Sequence, residues 1–119
     1  MAWLASDQQH FDFNLEQDGD YEIIIMIRHL HGFAIEKIPV ELKLSSSDTL
    51  YDQHYEIPVR DAAGEYLGEG GGDLWDLDFS AIQSIPLNKG SYHAEISQIS
   101  EYDELRLIME VGIMVKKVK

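Results

Sequence analysis

The sequence predicts an all-β domain, an antiparallel β-sandwich of immunoglobulin-like or jelly-roll-like kind with about seven to eight strands. Apolar and polar residues alternate with a period of two through much of the chain. Turn-forming clusters of Gly, Asp, Asn, Ser and Pro recur at short intervals between the alternating runs. No segment of ten or more residues carries the apolar stripe that an amphipathic helix needs.

Phe11, Phe13 and Leu15 alternate with Asp12, Asn14 and Glu16, the pattern of a strand with one wet face. A turn at Asp18-Gly19-Asp20 feeds Tyr21 to Arg28, whose β-branched run predicts a strand covered on both faces. His29 to Gly32 breaks the pattern. Ile38, Val40, Leu42 and Leu44 then form the next apolar face; Pro39 predicts an edge strand, or a strand that starts at Val40. Ser45 to Asp48 reads as a polar turn, and Thr49 to Val59 as one strand or two short ones. Phe79 to Leu87 and the alternating Tyr92, Ala94, Ile96 flank a turn at Asn88-Lys89-Gly90. Leu105 to Val118 is a long final run in which Gly112 marks a bulge or bend. The expected core includes Phe13, Ile23, Ile25, Leu42, Ile96, Val111 and Ile113.

Gly64 to Trp75 holds five of the nine glycines and is expected to be a wide, special loop rather than a strand interior. It lacks the flanking strand and helix of a dinucleotide site and the lysine of a phosphate loop. Its aromatic residues read first as a cover for an open end of the core and second as a contact surface. The candidate binding residues are Tyr66, Asp73, Trp75 and Asp76, because large amphipathic rings and nearby acids dominate contact energy when a partner desolvates them.

One domain spanning 1–119 is expected, large enough to bury a core without disulfides or metals. A net charge of −13 opposes nucleic acid and anionic membrane surfaces. The chain has no cysteine, which excludes a disulfide, a thiolate zinc site and a cysteine nucleophile. No apolar run is long enough to span a bilayer, and the start Met1-Ala2-Trp3 shows no basic region followed by an apolar one, so no signal peptide is visible in it. The residues alone leave open a cytosolic chain or an exported one whose signal has been removed.

The spacing of Asp73, Asp76 and Asp78 does not follow a calcium loop. His29 and His31 would project to the same side, with a third zinc ligand available from His10, His54 or His93 only through folding. No Gly-x-Ser-x-Gly elbow or isolated carboxylate pair points to catalysis. The expectation is a non-enzyme with no cofactor and no metal.

The order of landmarks carries a further signal. Trp3, the Phe11/Phe13 strand and a Tyr21-initiated strand ending in Arg28 are followed by Gly64-x-Tyr66-Leu67-Gly68-x-Gly70 and Gly72-Asp73-Leu74. Lys89-Gly90-x-Tyr92, Glu95-Ile96, Gln98 and Val111-Gly112-Ile113-x-Val115 complete the series. In this the chain resembles the GldH family of gliding-motility-associated lipoproteins of Bacteroidetes. After Arg28 the family tends to Asn, spaced tyrosines and an Asn-Leu pair, whereas this chain has His29, Phe33, Ile35 and Lys37-Ile38. The resemblance implies an accessory or interaction component of an envelope machine, with envelope or motility proteins as partners. It also implies an outer-membrane lipoprotein, periplasm-facing or at the cell surface, held by a lipidated cysteine upstream of residues 1–119. The alternative is a carbohydrate-binding module with Trp75, Tyr66 and nearby acids as its platform.

Overall fold

A computed structural model describes residues 2–47 and 49–118. Its strands are β1 (Ala2–Leu4), β2 (Gln9–Leu15), β3 (Gly19–Leu30), β4 (Lys37–Ser45), β5 (Thr49–Pro58), β6 (Glu69–Gly71), β7 (Leu74–Leu87), β8 (Gly90–Gln98), β9 (Glu104–Arg106) and β10 (Ile108–Lys117). Two four-stranded antiparallel sheets, in the orders β10-β3-β7-β6 and β2-β8-β4-β5, face each other, and β1 pairs with β9 at one end. The chain is all-β, as the alternation predicts, and its architecture is that of a β-sandwich.

Alternation decides which residues meet between the layers. Ile23, Ile25 and Ile27 of β3 point inward and join Ile38, Val40 and Leu42 of β4 and Ile96 of β8 in one buried cluster. Leu15, Tyr21, Leu44, Leu87, Tyr92 and Ala94 form a second cluster. Of the expected core, Ile23, Ile25, Leu42 and Ile96 are fully buried, while Phe13, Val111 and Ile113 are half-buried at its margin. Tyr55 of β5 meets Phe79 of β7 edge-on across the sandwich, ring centroids 5.8 Å apart. Burial, reinforced by the neighbouring Tyr51 hydroxyl, pushes the Tyr55 phenol above the ordinary tyrosine range.

Several sequence expectations change at the level of elements. β3 is fully covered on its inner face, and on the other face Ile24 is buried, Glu22 and Met26 are half-buried and Arg28 is exposed, so coverage of both faces holds only in the middle of the strand. The strand also continues through His29 and Leu30, where the sequence pattern breaks, because His29 itself is an inward residue.

β4 is an inner strand, not an edge, and it begins at Lys37. Pro39 is tolerated there because its carbonyl accepts from Ile99 N–H just beyond Val40–Gln98, the last β4–β8 ladder pair, so its missing donor costs no ladder bond. Thr49 to Pro58 is a single strand; the turn before it includes Asp48, which lies outside the described residues.

The bend in the final run is at Leu107, a non-glycine with φ of 72°, and the register shift lies between Ile108 and Glu110. Gly112 sits in regular pairing opposite Met26, whose methyl group packs over it. The short strands β1 and β6 carry too few residues to show a period.

Candidate functional site

The glycine-rich stretch is a tight hairpin rather than a wide loop. Gly71 pairs with Leu74, so Gly72 and Asp73 alone form the turn between β6 and β7. Gly70 and Gly71 therefore lie within a strand, contrary to the sequence expectation. The reason is visible at Gly70, which pairs directly with Trp75. A Cβ there would stand 2.8 Å from the indole carbons, so glycine lets the ring lie flat on the backbone of the neighbouring strand.

The segment before β6 positions Tyr66. Asp61 Oδ1 accepts from the backbone N–H groups of Ala63 and Glu65 at 2.9 and 3.0 Å, closing a turn. Leu67 N–H donates to Val59 O at 2.8 Å, which fixes both ends of the loop. Tyr66 then reaches across the open end of the sandwich. Its hydroxyl accepts from Gly32 N–H at 2.8 Å and from Arg60 Nη2 at 3.2 Å, and donates to Phe33 O at 3.4 Å.

Around the Tyr66 ring stand Trp75, His31 and His29, with centroids at 5.1, 5.2 and 5.3 Å. The Arg60 guanidinium lies over the same ring at 4.9 Å, within cation–π range, and also donates to Phe33 O. His29, fully buried, packs against Phe33 at 5.5 Å. The result is an aromatic cap on one end of the core.

The cap contains unusual polar atoms. His29 Nε2, Arg60 Nε and Trp75 Nε1 are each buried without a protein hydrogen-bond partner. His29 Nδ1 lies 3.0 Å from Leu30 O, and a carbonyl can only accept, so Nδ1 carries the hydrogen. In the neutral ring, Nε2 is then an acceptor, while Arg60 Nε and Trp75 Nε1 are donors.

The four candidate residues do not converge on one site. Tyr66 and Trp75 are in contact and half-buried. Asp73 is exposed at the hairpin tip, where its carbonyl accepts from His31 N–H at 2.7 Å. Asp76 lies on the opposite face of β7 from Trp75, paired with Arg28 of β3. Arg28 Nε donates to Asp76 Oδ1 at 2.7 Å, and this bond holds the Asp76 carboxyl below the ordinary aspartate range. Arg28 also faces Glu110, and together with Met26, Asp78 and Gly112 these residues line a shallow depression of about 290 Å³.

Among the described residues, Asp73, Asp76 and Asp78 do not bring three ligand atoms together, and neither do His29 and His31 with any third group. Arg60, Phe33 and His29 belong to the cap but were not among the sequence candidates. The chain order that brings them to Tyr66 depends on strand pairing, which the local sequence does not record.

Fold and site together define a two-sheet β-sandwich whose glycine hairpin carries an aromatic cap over one end. A family model described as GldH lipoprotein matches residues 1–115. The chain belongs to that family. No curated protein and no solved structure matches it.

Proposed function

We propose that this chain is the folded domain of a non-enzymatic outer-membrane lipoprotein, an accessory or interaction component of a gliding-motility machine in the cell envelope. The observation that carries the reading is the family match across residues 1–115, nearly the whole chain. Because the chain holds no cysteine, the lipid in this reading is attached outside residues 1–119. No helix among the described residues is long and apolar enough to cross a membrane.

The cap is a packing feature, and it bears on the carbohydrate alternative. Tyr66 and Trp75 spend their ring faces on each other and on Gly70, with no nucleophile–base pair beside them. A sugar-stacking platform needs an open ring face, and the Gly70 side of Trp75 is closed. The proposed contact surface for partner proteins of the envelope is the exposed hairpin tip at Asp73, with the Arg28–Asp76 pair on the outer face of β7 beside it.

The test is genetic. Deleting the gene in a gliding host should abolish colony spreading. Restoring the domain behind its lipid anchor should recover spreading, and restoring an anchorless domain should not. Normal spreading after deletion would remove the motility role.

A further inference from the structure

The solvent face of the β2-β8-β4-β5 sheet carries a cluster that the family does not explain. His10 pairs with Glu95 across β2 and β8, and Asp12 pairs with His93 two positions along. His10 Nδ1 and His93 Nε2 stand 3.0 Å apart, with their rings stacked at 5.2 Å. His93 Nδ1 lies 2.7 Å from Asp12 Oδ1. His10, His93 and Glu95 each offer one ligand atom within 4.8 Å of the others.

The hydrogen positions follow from chemistry. An ionised Asp12 can only accept, so His93 Nδ1 carries the hydrogen and Nε2 presents a lone pair. His10 Nδ1 donates to that lone pair in the metal-free cluster. Moving the His10 hydrogen to its other nitrogen turns both facing atoms into lone pairs without removing a proton from the protein. Two imidazoles and a carboxylate are a zinc-type ligand set. Tetrahedral zinc with N–metal bonds of about 2.0–2.1 Å separates two nitrogens by about 3.3 Å, a few tenths of an ångström more than the present pair, and ligation also turns both rings so that their lone pairs meet at the metal. The Asp12 contact has the form of the carboxylate–histidine support usual behind ligating imidazoles.

We propose that His10, His93 and Glu95 bind a divalent transition metal of the zinc class. His10 ligates through Nδ1 and His93 through Nε2, and Asp12 orients His93. Three protein ligands leave a fourth position open to water or to a partner's side chain. The site departs from the sequence expectation of no metal, because its two histidines are 83 residues apart and only the β2–β8 register joins them. Lys43 of β4 stands opposite Glu95 in register but has its ammonium 4.0 Å from Glu41 Oε1, while the net charge of −13 concentrates cations around the domain. A second group, Glu41, Asp52 and His54 on β4 and β5, offers a single imidazole and serves as an internal control.

The test is zinc titration of the tag-free 119-residue chain by calorimetry, with calcium as the comparison ion. The proposal expects saturable zinc binding, no calcium binding at this cluster, and loss of zinc binding in His10→Ala and His93→Ala. His54→Ala should retain it. Asp12→Asn should weaken zinc by about 10–100-fold. Zinc-dependent shifts of the His10 and His93 ring nitrogens in the unmutated protein supply a second readout, independent of how each variant folds. Absence of saturable binding at millimolar zinc, or binding that survives His93→Ala and is lost in His54→Ala, would overturn the site.

Discussion

Trp75 decides how the candidate site is understood at the scale of single residues. Its ring covers Gly70, touches Tyr66 and buries its Nε1, all of which make it part of the cap. Trp75→Ala should therefore lower stability by about 2–4 kcal/mol, toward the lower part of the range for buried aromatics because the ring is half-exposed. Urea melts measure this directly, and a change below about 0.5 kcal/mol would mark the ring as a surface contact instead. Before folding, the residues say that Tyr66 and Trp75 are large and amphipathic, but not that they face each other. His29 is the clearest case of what the sequence hides. It reads as a turn histidine, yet the continuation of β3 buries it beneath Tyr66.

The β6–β7 hairpin shows why periodicity succeeds for some elements and fails for others. The strands with one wet face, such as β2, β4 and β8, were legible because their alternation runs for seven or more residues. β6 has three residues, two of them glycine, so no period exists to read. Its glycines also differ in what they do. Gly68 has φ of +91°, and a Cβ there would collide with the Asp76 carbonyl, whereas Gly71 is open to solvent with an ordinary backbone. Gly68→Ala should destabilise by more than about 1 kcal/mol, while Gly71→Ala should stay within about 0.5 kcal/mol of the parent. Equal effects in thermal melts would mean that the hairpin is not held against β7 as described. Pro39 teaches the complementary lesson: its position beyond the β8 ladder depends on where a distant strand ends, which local sequence does not record.

For the whole molecule, one sandwich with a net charge of −13 and an aromatic cap over one end is the folded unit on which the proposed role rests. The fold class was legible in the alternation and turn spacing, and the family in the order of landmarks from Trp3 to the Val111-Gly112-Ile113 strand. Clusters assembled from separate strands, the cap around Tyr66 and the His10–His93 pair, were not, since they exist only once register is set. The central proposal is that a lipid attached outside residues 1–119 anchors this domain at the envelope. The most direct measurement is membrane fractionation of the full-length gene product in its native host, with the lipid-acceptor cysteine intact or changed to serine. The intact protein should take up a fatty-acid label and sediment with the outer membrane, and the serine variant should move to the soluble fraction. A serine variant that stays membrane-bound without label would contradict the lipoprotein account.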